Sequence, residues 1–210
     1  MVETLHRTPL ATPRAAPPTG RAPARPRLTR LLRLLERTLA VLGAALLLYN
    51  LAFDLHDVAS PSMQPLLRSG DDPDWVLVER AWNGGRAPTR RFSVVTFRDD
   101  EGNVLVKRVV GFPGETLLLR RSDRALLVDG VVTATPETVG HAREATRHGY
   151  LPCGNLRDDR PFLVPAGHVY VLGDDTLDSH DSRFTGPVPI ARLRGRAVLR
   201  VYPFARFAVL

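Results

Sequence analysis

The stretch VLVKRVVGF, Val104 to Phe112, decides the fold. Four valines, a leucine and a phenylalanine surround two adjacent cations, a composition that favours a pleated strand and shows no helical period. Successive strand side chains point to opposite faces, so Leu105, Lys107 and Val109 share one face, and Val106, Arg108 and Val110 share the other. Similar runs flank it: FSVVTF (Phe92–Phe97), TLLLR (Thr116–Arg120), ALLVDGVVTA (Ala125–Ala134), FLVPAGHVYVLG (Phe162–Gly173) and GRAVLRVYPF (Gly195–Phe204). Gly, Pro and Asp punctuate them, and Asp129-Gly130 predicts a type I′ hairpin turn. With no regular alternation of strand and helix and no internal repeat, the pattern predicts a mostly β, antiparallel domain over 58–210. Residues 136–160 read as a loop-rich insertion.

Lys107 stands out chemically. The chain has 29 basic residues, of which 28 are arginine, so a lysine is kept where arginine serves everywhere else. Arginine stays protonated in proteins, whereas a lysine on an apolar face loses solvation of its ammonium and its pKa falls. Such a lysine is a candidate general base. Its natural partner is a nucleophile that needs one, and SPSMQPLLRSGD, Ser60 to Asp71, offers serines in a proline-constrained loop. A serine there and Lys107 on its strand compose a Ser-Lys dyad, a known variant of serine acyl-enzyme chemistry.

The charge is concentrated at the N-terminus. Residues 1–37 hold eight arginines against Glu3 and Glu36, while the whole chain is +7. Residues 1–27 are rich in Pro, Ala, Thr and Arg without apolar periodicity and read as a disordered tail. Residues 28–57 begin amphipathically and become apolar. The uncharged part, Thr38 to Phe53, is 16 residues, short of the roughly 20 that cross a bilayer, though Arg37 can snorkel and Tyr49 suits an interface. A signal anchor fits better than a cleaved signal peptide, for which DLHDVASPSM offers no good site, or a buried core helix. The arginines ahead of the span place the N-terminus in the cytoplasm and the β domain outside.

Other chemistries find little support. Ser179, His180 and Asp181 are adjacent in DSHDS, and three consecutive side chains of an extended segment cannot line up as one relay. The six histidines lack metal-ligand spacing, no phosphate-cradling glycine loop occurs, and the Arg-rich tail has no interleaved aromatics, so neither metal, nucleotide nor nucleic acid is expected. Cys153 is alone, which excludes an internal disulfide.

SPSMQP resembles the S-x-S-M-x-P box of membrane-anchored type I signal peptidases. VKRVVGFPGE is similar to their K-R-V-x-G-x-P-G-[DE] box, and GDDTLDSHDSR to their G-D-N-R-x-x-S-x-D-S-R box. The resemblance implies a signal-peptidase-like β domain behind a single N-terminal transmembrane helix. It implies a cofactor-free serine endopeptidase of a bacterial cytoplasmic membrane, acting on exported preproteins at the bilayer's outer surface. Ser62 would be the nucleophile and Lys107 the base, with Ser60 and the Ser62 amide forming the oxyanion hole. Ser179 would orient the lysine amine, and Asp181 and Arg183 would form a supporting ion pair. Val58, Met63, Leu67, Leu105 and Val106 would line shallow pockets for small side chains at −1 and −3. Asp175 and Thr176 stand where the pattern has Asn and Arg. That departure leaves open a specialised, for instance conjugation-associated, processing peptidase. An inactive membrane-tethered β binding module is the alternative without chemistry.

Overall fold

The computed structural model describes residues 27–80, 90–134 and 150–210. The expected tail, apart from its last residue, and residues 136–149 of the expected insertion lie outside them.

Helix α1 spans Arg27–Ala52. Leucines lie on every side of it, with Leu32, Leu35, Leu42 and Leu47 among those more than half exposed. Its two mid-helix polar side chains bond backward by four residues, Thr38 Oγ1 to the Leu34 carbonyl and Asn50 Nδ2 to that of Leu46. Among the described residues no helix is long and apolar enough to cross a membrane. The charges at Arg30, Arg33, Glu36 and Arg37 occupy its first turns, and the uncharged remainder, Thr38 to Ala52, is about 23 Å long at 1.5 Å per residue. The helix also ends earlier than expected: residues 53–57, assigned to the anchor from sequence, form a strand.

The strands are β1 (Phe53–Asp57), β2 (Trp75–Arg80), β3 (Val94–Arg98), β4 (Val104–Gly111), β5 (Thr116–Leu119), β6 (Leu126–Val128), β7 (Val131–Ala134), β8 (Phe162–Leu163), β9 (His168–Leu172), β10 (Val188–Pro189), β11 (Leu193–Tyr202) and β12 (Ala208–Val209). The larger sheet runs β1-β2-β11-β3-β4-β9-β10 with β12 beside β11, and the smaller runs β7-β6-β5-β8. Every strand pair is antiparallel. The hairpin between β6 and β7 turns on Asp129 and Gly130 at φ 49° and 81°, the left-handed pair that a type I′ turn requires.

The faces of β4 separate as the alternation predicts. Val109 and Leu105 pack with Val95, Phe97, Val169 and Val171. Val106 packs instead against Val58, Met63, Leu67 and Val78, and Val110 joins the cluster beneath the smaller sheet. Arg108 on that side is held by Asp174 through two bonds, Nε to Oδ1 at 2.6 Å and Nη2 to Oδ2 at 2.5 Å. Lys107 is thereby confined to one side of the sheet, 3% exposed.

Candidate active site

The serine loop folds into a single 3-10 turn, Pro61–Met63. Ser60 caps it: its backbone is extended, its hydroxyl accepts from Ser62 N–H at 3.2 Å, and proline occupies the first helical position, where a missing N–H is harmless. Met63, 1% exposed, pins the turn into the core. The Ser62 carbonyl accepts from Asp175 N–H at 3.0 Å. Ser62 is thus fixed on both sides, with its hydroxyl the free end.

That hydroxyl receives Lys107. Nζ lies 2.6 Å from Ser62 Oγ across 45 residues of sequence. Burial pushes the lysine down to about 8. Asp181 and then Asp174 oppose the fall by favouring the ammonium, and Arg183 adds to it. A quarter-buried lysine would be almost wholly protonated at neutral pH, whereas this one is neutral in a usable fraction.

Behind the pair stands a buried ion pair. Arg183 donates from Nε and Nη2 to the two oxygens of Asp181, both at 2.8 Å, and both side chains are fully inaccessible. Asp181 also accepts from Gly173 N–H at 2.9 Å and caps the short helix α2 (Ser182–Thr185) through Arg183 N–H. Ser182 Oγ accepts from Val171 N–H at 3.0 Å, binding α2 to β9. Gly173 has no room for a side chain: a Cβ there would meet Ser179 Oγ at 2.2 Å and the Ser62 carbonyl at 2.5 Å. Ser179, Gly173 and Ser62 are therefore in close packing.

The C-terminal part of the expected insertion belongs to this brace. Leu151 N–H donates to Thr176 Oγ1, Asn155 N–H to the Arg183 carbonyl, and Asn155 Nδ2 to the Ser182 carbonyl. Gly154, at φ +56°, lies so close that a Cβ would sit 1.8 Å from the Arg183 oxygen.

A cleft of about 370 Å³ opens onto Ser62 and Lys107. Of the five residues expected to line it, Val58, Met63, Leu105 and Val106 do so. Leu67 does not: it is fully buried in the core behind Val58 and Met63. Two further expectations meet a different geometry. Ser179 Oγ is buried without a hydrogen-bond partner, and the lysine amine bonds to Ser62 rather than to it. The two expected oxyanion donors are bonded to each other, Ser62 N–H to Ser60 Oγ, in a long contact that a substrate oxygen can replace. The sequence reading missed Asp174 with Arg108, and the supports from Ser182, Asn155 and Asp175 N–H. The first aspartate of GDD, just past the strand that neighbours Arg108, was the available signal for the first of these.

The family model described as signal peptidase, peptidase S26, matches residues 31–202. Signal peptidase I of Bacillus caldolyticus is 31% identical over 163 residues, covering 74% of this chain and 83% of that protein. The mitochondrial ATP-independent inner membrane protease subunit 1b of Arabidopsis thaliana is 31% identical over 151 residues, 71% of this chain and 70% of its own length. A crystal structure of a signal peptidase I from Enterococcus faecalis overlaps 53% of this chain and 97% of that one, at 28% identity and a TM-score of 0.41. The chain belongs to the signal peptidase family, peptidase S26. Its function is that of a signal peptidase I: it is a serine peptidase, a hydrolase whose substrates are preproteins.

Proposed function

We propose that Ser62 is the nucleophile and Lys107 the general base of this peptidase, and that the reaction takes place at a membrane surface. The observation that carries the dyad is the 2.6 Å contact between a lysine amine lowered to about 8 and a buried serine hydroxyl. Neutral Lys107 takes the Ser62 proton as Oγ attacks the scissile carbonyl. The developing oxyanion draws the Ser62 N–H from Ser60 Oγ, and the Ser60 hydroxyl turns to donate to the same oxygen. Lysinium protonates the departing amine. Lys107, neutral again, takes a proton from water as its oxygen attacks the acyl-enzyme, and lysinium returns that proton to Ser62 Oγ as the ester bond breaks. Asp181 and Arg183 hold the loop that backs the pair, and Ser179, packed against Gly173, is the nearby hydroxyl available to the lysinium form.

Membrane attachment is supported by the many exposed leucines of α1 and by a relative named as an inner membrane protease. In this reading the Arg-rich N-terminus stays in the cytoplasm of a bacterial cell and the β domain lies outside. Ser62 is nine residues beyond Phe53, so at roughly 3.3 Å per extended residue the nucleophile works within about 30 Å of the bilayer along the chain. The test is processing of a preprotein by the detergent-solubilised full chain, with the new N-terminus sequenced. Ser62→Ala and Lys107→Arg each abolish the product while circular dichroism is retained. Substantial cleavage by Lys107→Arg removes the general-base role, because a guanidinium cannot accept the serine proton.

A further inference from the structure

Resting on the peptidase reading, the next inference concerns which preproteins the cleft prefers. β1 is the end strand of the larger sheet. On β4 the ladder with β9 begins only at Arg108, so Val104 to Lys107 are paired on the β3 side alone. The cleft lies between these two walls, Asp57 to Ser60 on one and Asn103 to Lys107 on the other. An extended peptide fills such a gap by adding a strand, its backbone bonding to the walls and its side chains alternating.

The two sides onto which those side chains alternate differ in chemistry. Val58 and Val106 pack in one apolar cluster. They form the side that small residues at −1 and −3 enter in the proposed reaction. Along the β1 wall, Leu55, Asp57 and Ala59 are exposed while Val58 is buried and His56 half-buried, so the Asp57 carboxylate is on the opposite side. Side chains at −2 and −4 emerge there. Among the described residues, Asp57 and Lys107 are the only charged groups lining the cleft, and the lysine amine is taken up by Ser62. Asp54, three residues earlier on β1, is already paired with Arg80 at 2.5 Å. The Asp57 side chain has no ion pair or hydrogen bond among the described residues.

We infer that Asp57 is a specificity residue: it favours substrates with lysine or arginine at the second or fourth position before the scissile bond and disfavours acidic residues there. The purified full chain in detergent is given peptides with alanine at −1 and −3 and Lys, Gln or Glu at −2, then at −4. kcat/KM is measured at low and high salt. For an exposed ion pair the Lys substrate is expected to exceed the Glu substrate about three- to tenfold at one of the two positions, and the ratio should shrink in salt as the charges are screened. Asp57→Asn brings the Lys/Glu ratio close to one and Asp57→Lys inverts it, each enzyme serving as its own reference. A wild-type ratio of one at both positions, or a ratio that survives Asp57→Asn, overturns the assignment. Failure of wild-type enzyme to cleave even the Gln peptides overturns instead the peptidase reading, and the assignment with it.

Discussion

The two sheets are equally apolar at their centres and differ in what else they bury. The smaller sheet covers Leu117, Leu119, Leu126, Val128 and Leu156. Apart from the tyrosine hydroxyl of Tyr150, no buried polar or charged side chain among the described residues lies between Phe112 and Ala166. The buried polar and charged side chains, from Ser62 to Arg183, all belong to the larger sheet and its loops, and Asp74, Lys107, Asp174, Asp181 and Arg183 carry formal charge. Buried charges are tolerated when paired, yet seldom add stability over apolar residues of like volume. The small sheet therefore buries almost nothing but apolar groups, whereas the large sheet, with apolar clusters of its own, also holds a reactive amine out of water.

The largest effect comes from removing that amine. Lys107→Met is expected to lower processing by about four orders of magnitude or more, as loss of a proton-transfer partner does in other serine peptidases. It should also raise stability, and the pH dependence gives the sign. The folded-state pKa is depressed to about 8 from the 10.5 of an ordinary lysine. Between these values the unfolded chain binds more protons, so wild-type stability climbs with pH across that window. Below about 8 the burial penalty on the ammonium is complete. Urea titrations at pH 7 and at pH 11 should therefore show the methionine variant ahead at pH 7 and its lead reduced at pH 11. A variant that is less stable at pH 7 makes the site a net contributor to folding and breaks the comparison. In the wild type the same pKa sets the acidic limb of the pH–rate profile near 8.

A substitution in the other sheet should do the reverse. Leu119 is fully buried on β5, in a cluster that contains no charged side chain. Leu119→Ala is expected to cost about 2–5 kcal/mol through lost transfer energy and the cavity left behind. kcat of the folded fraction should stay within about twofold, on general grounds of distance between independent sites. The checks are denaturant unfolding alongside kcat at a temperature where the variant is folded. A drop in kcat that matches the drop in stability would show that the small sheet also tunes the site.

The antiparallel β class was legible because each core strand carries its own signal, and β4 could be assigned face by face from VLVKRVVGF alone. β1 was not, because FDLHD follows the apolar helix without a break and its first phenylalanine extends the apolar run. The same ambiguity placed the helix end five residues too late. Ser62 and Lys107 stood out through composition and loop chemistry, and their residue-level roles came with the family boxes. Leu67, which the family resemblance puts at the pockets, is instead fully buried in the cluster of Val58 and Met63 and does not line the cleft, a depth that residue type does not report. The loop from Leu151 to Asn155 gave no warning of its role, since its contacts to Thr176, Ser182 and Arg183 are largely backbone bonds, which leave little trace in residue type.

Thr176 tests how closely that loop is coupled to the lysine. It stands where the family boxes have arginine, is 4% exposed, and its hydroxyl accepts from both Leu151 N–H and Arg183 Nη1 at 2.9 Å. Arg183 Nη1 also reaches the Thr176 carbonyl at 3.0 Å, so part of its hold survives loss of the hydroxyl. Thr176→Val keeps the shape and leaves the Leu151 amide without its acceptor, an expected loss of about 1–3 kcal/mol. Lys107 is acted on by Asp181 and Asp174, which favour the ammonium, and by Arg183, which disfavours it. Asp174 is held independently by Arg108. A looser Arg183 leaves more of the Asp181 charge uncompensated, so the lysine pKa rises and the acidic limb moves to higher pH, with KM little changed. Thr176→Ser should restore both limb and stability. A valine variant that loses stability while its acidic limb stays at the wild-type position would reduce Thr176 to a packing residue and confine the coupling to the Asp181–Arg183 pair itself.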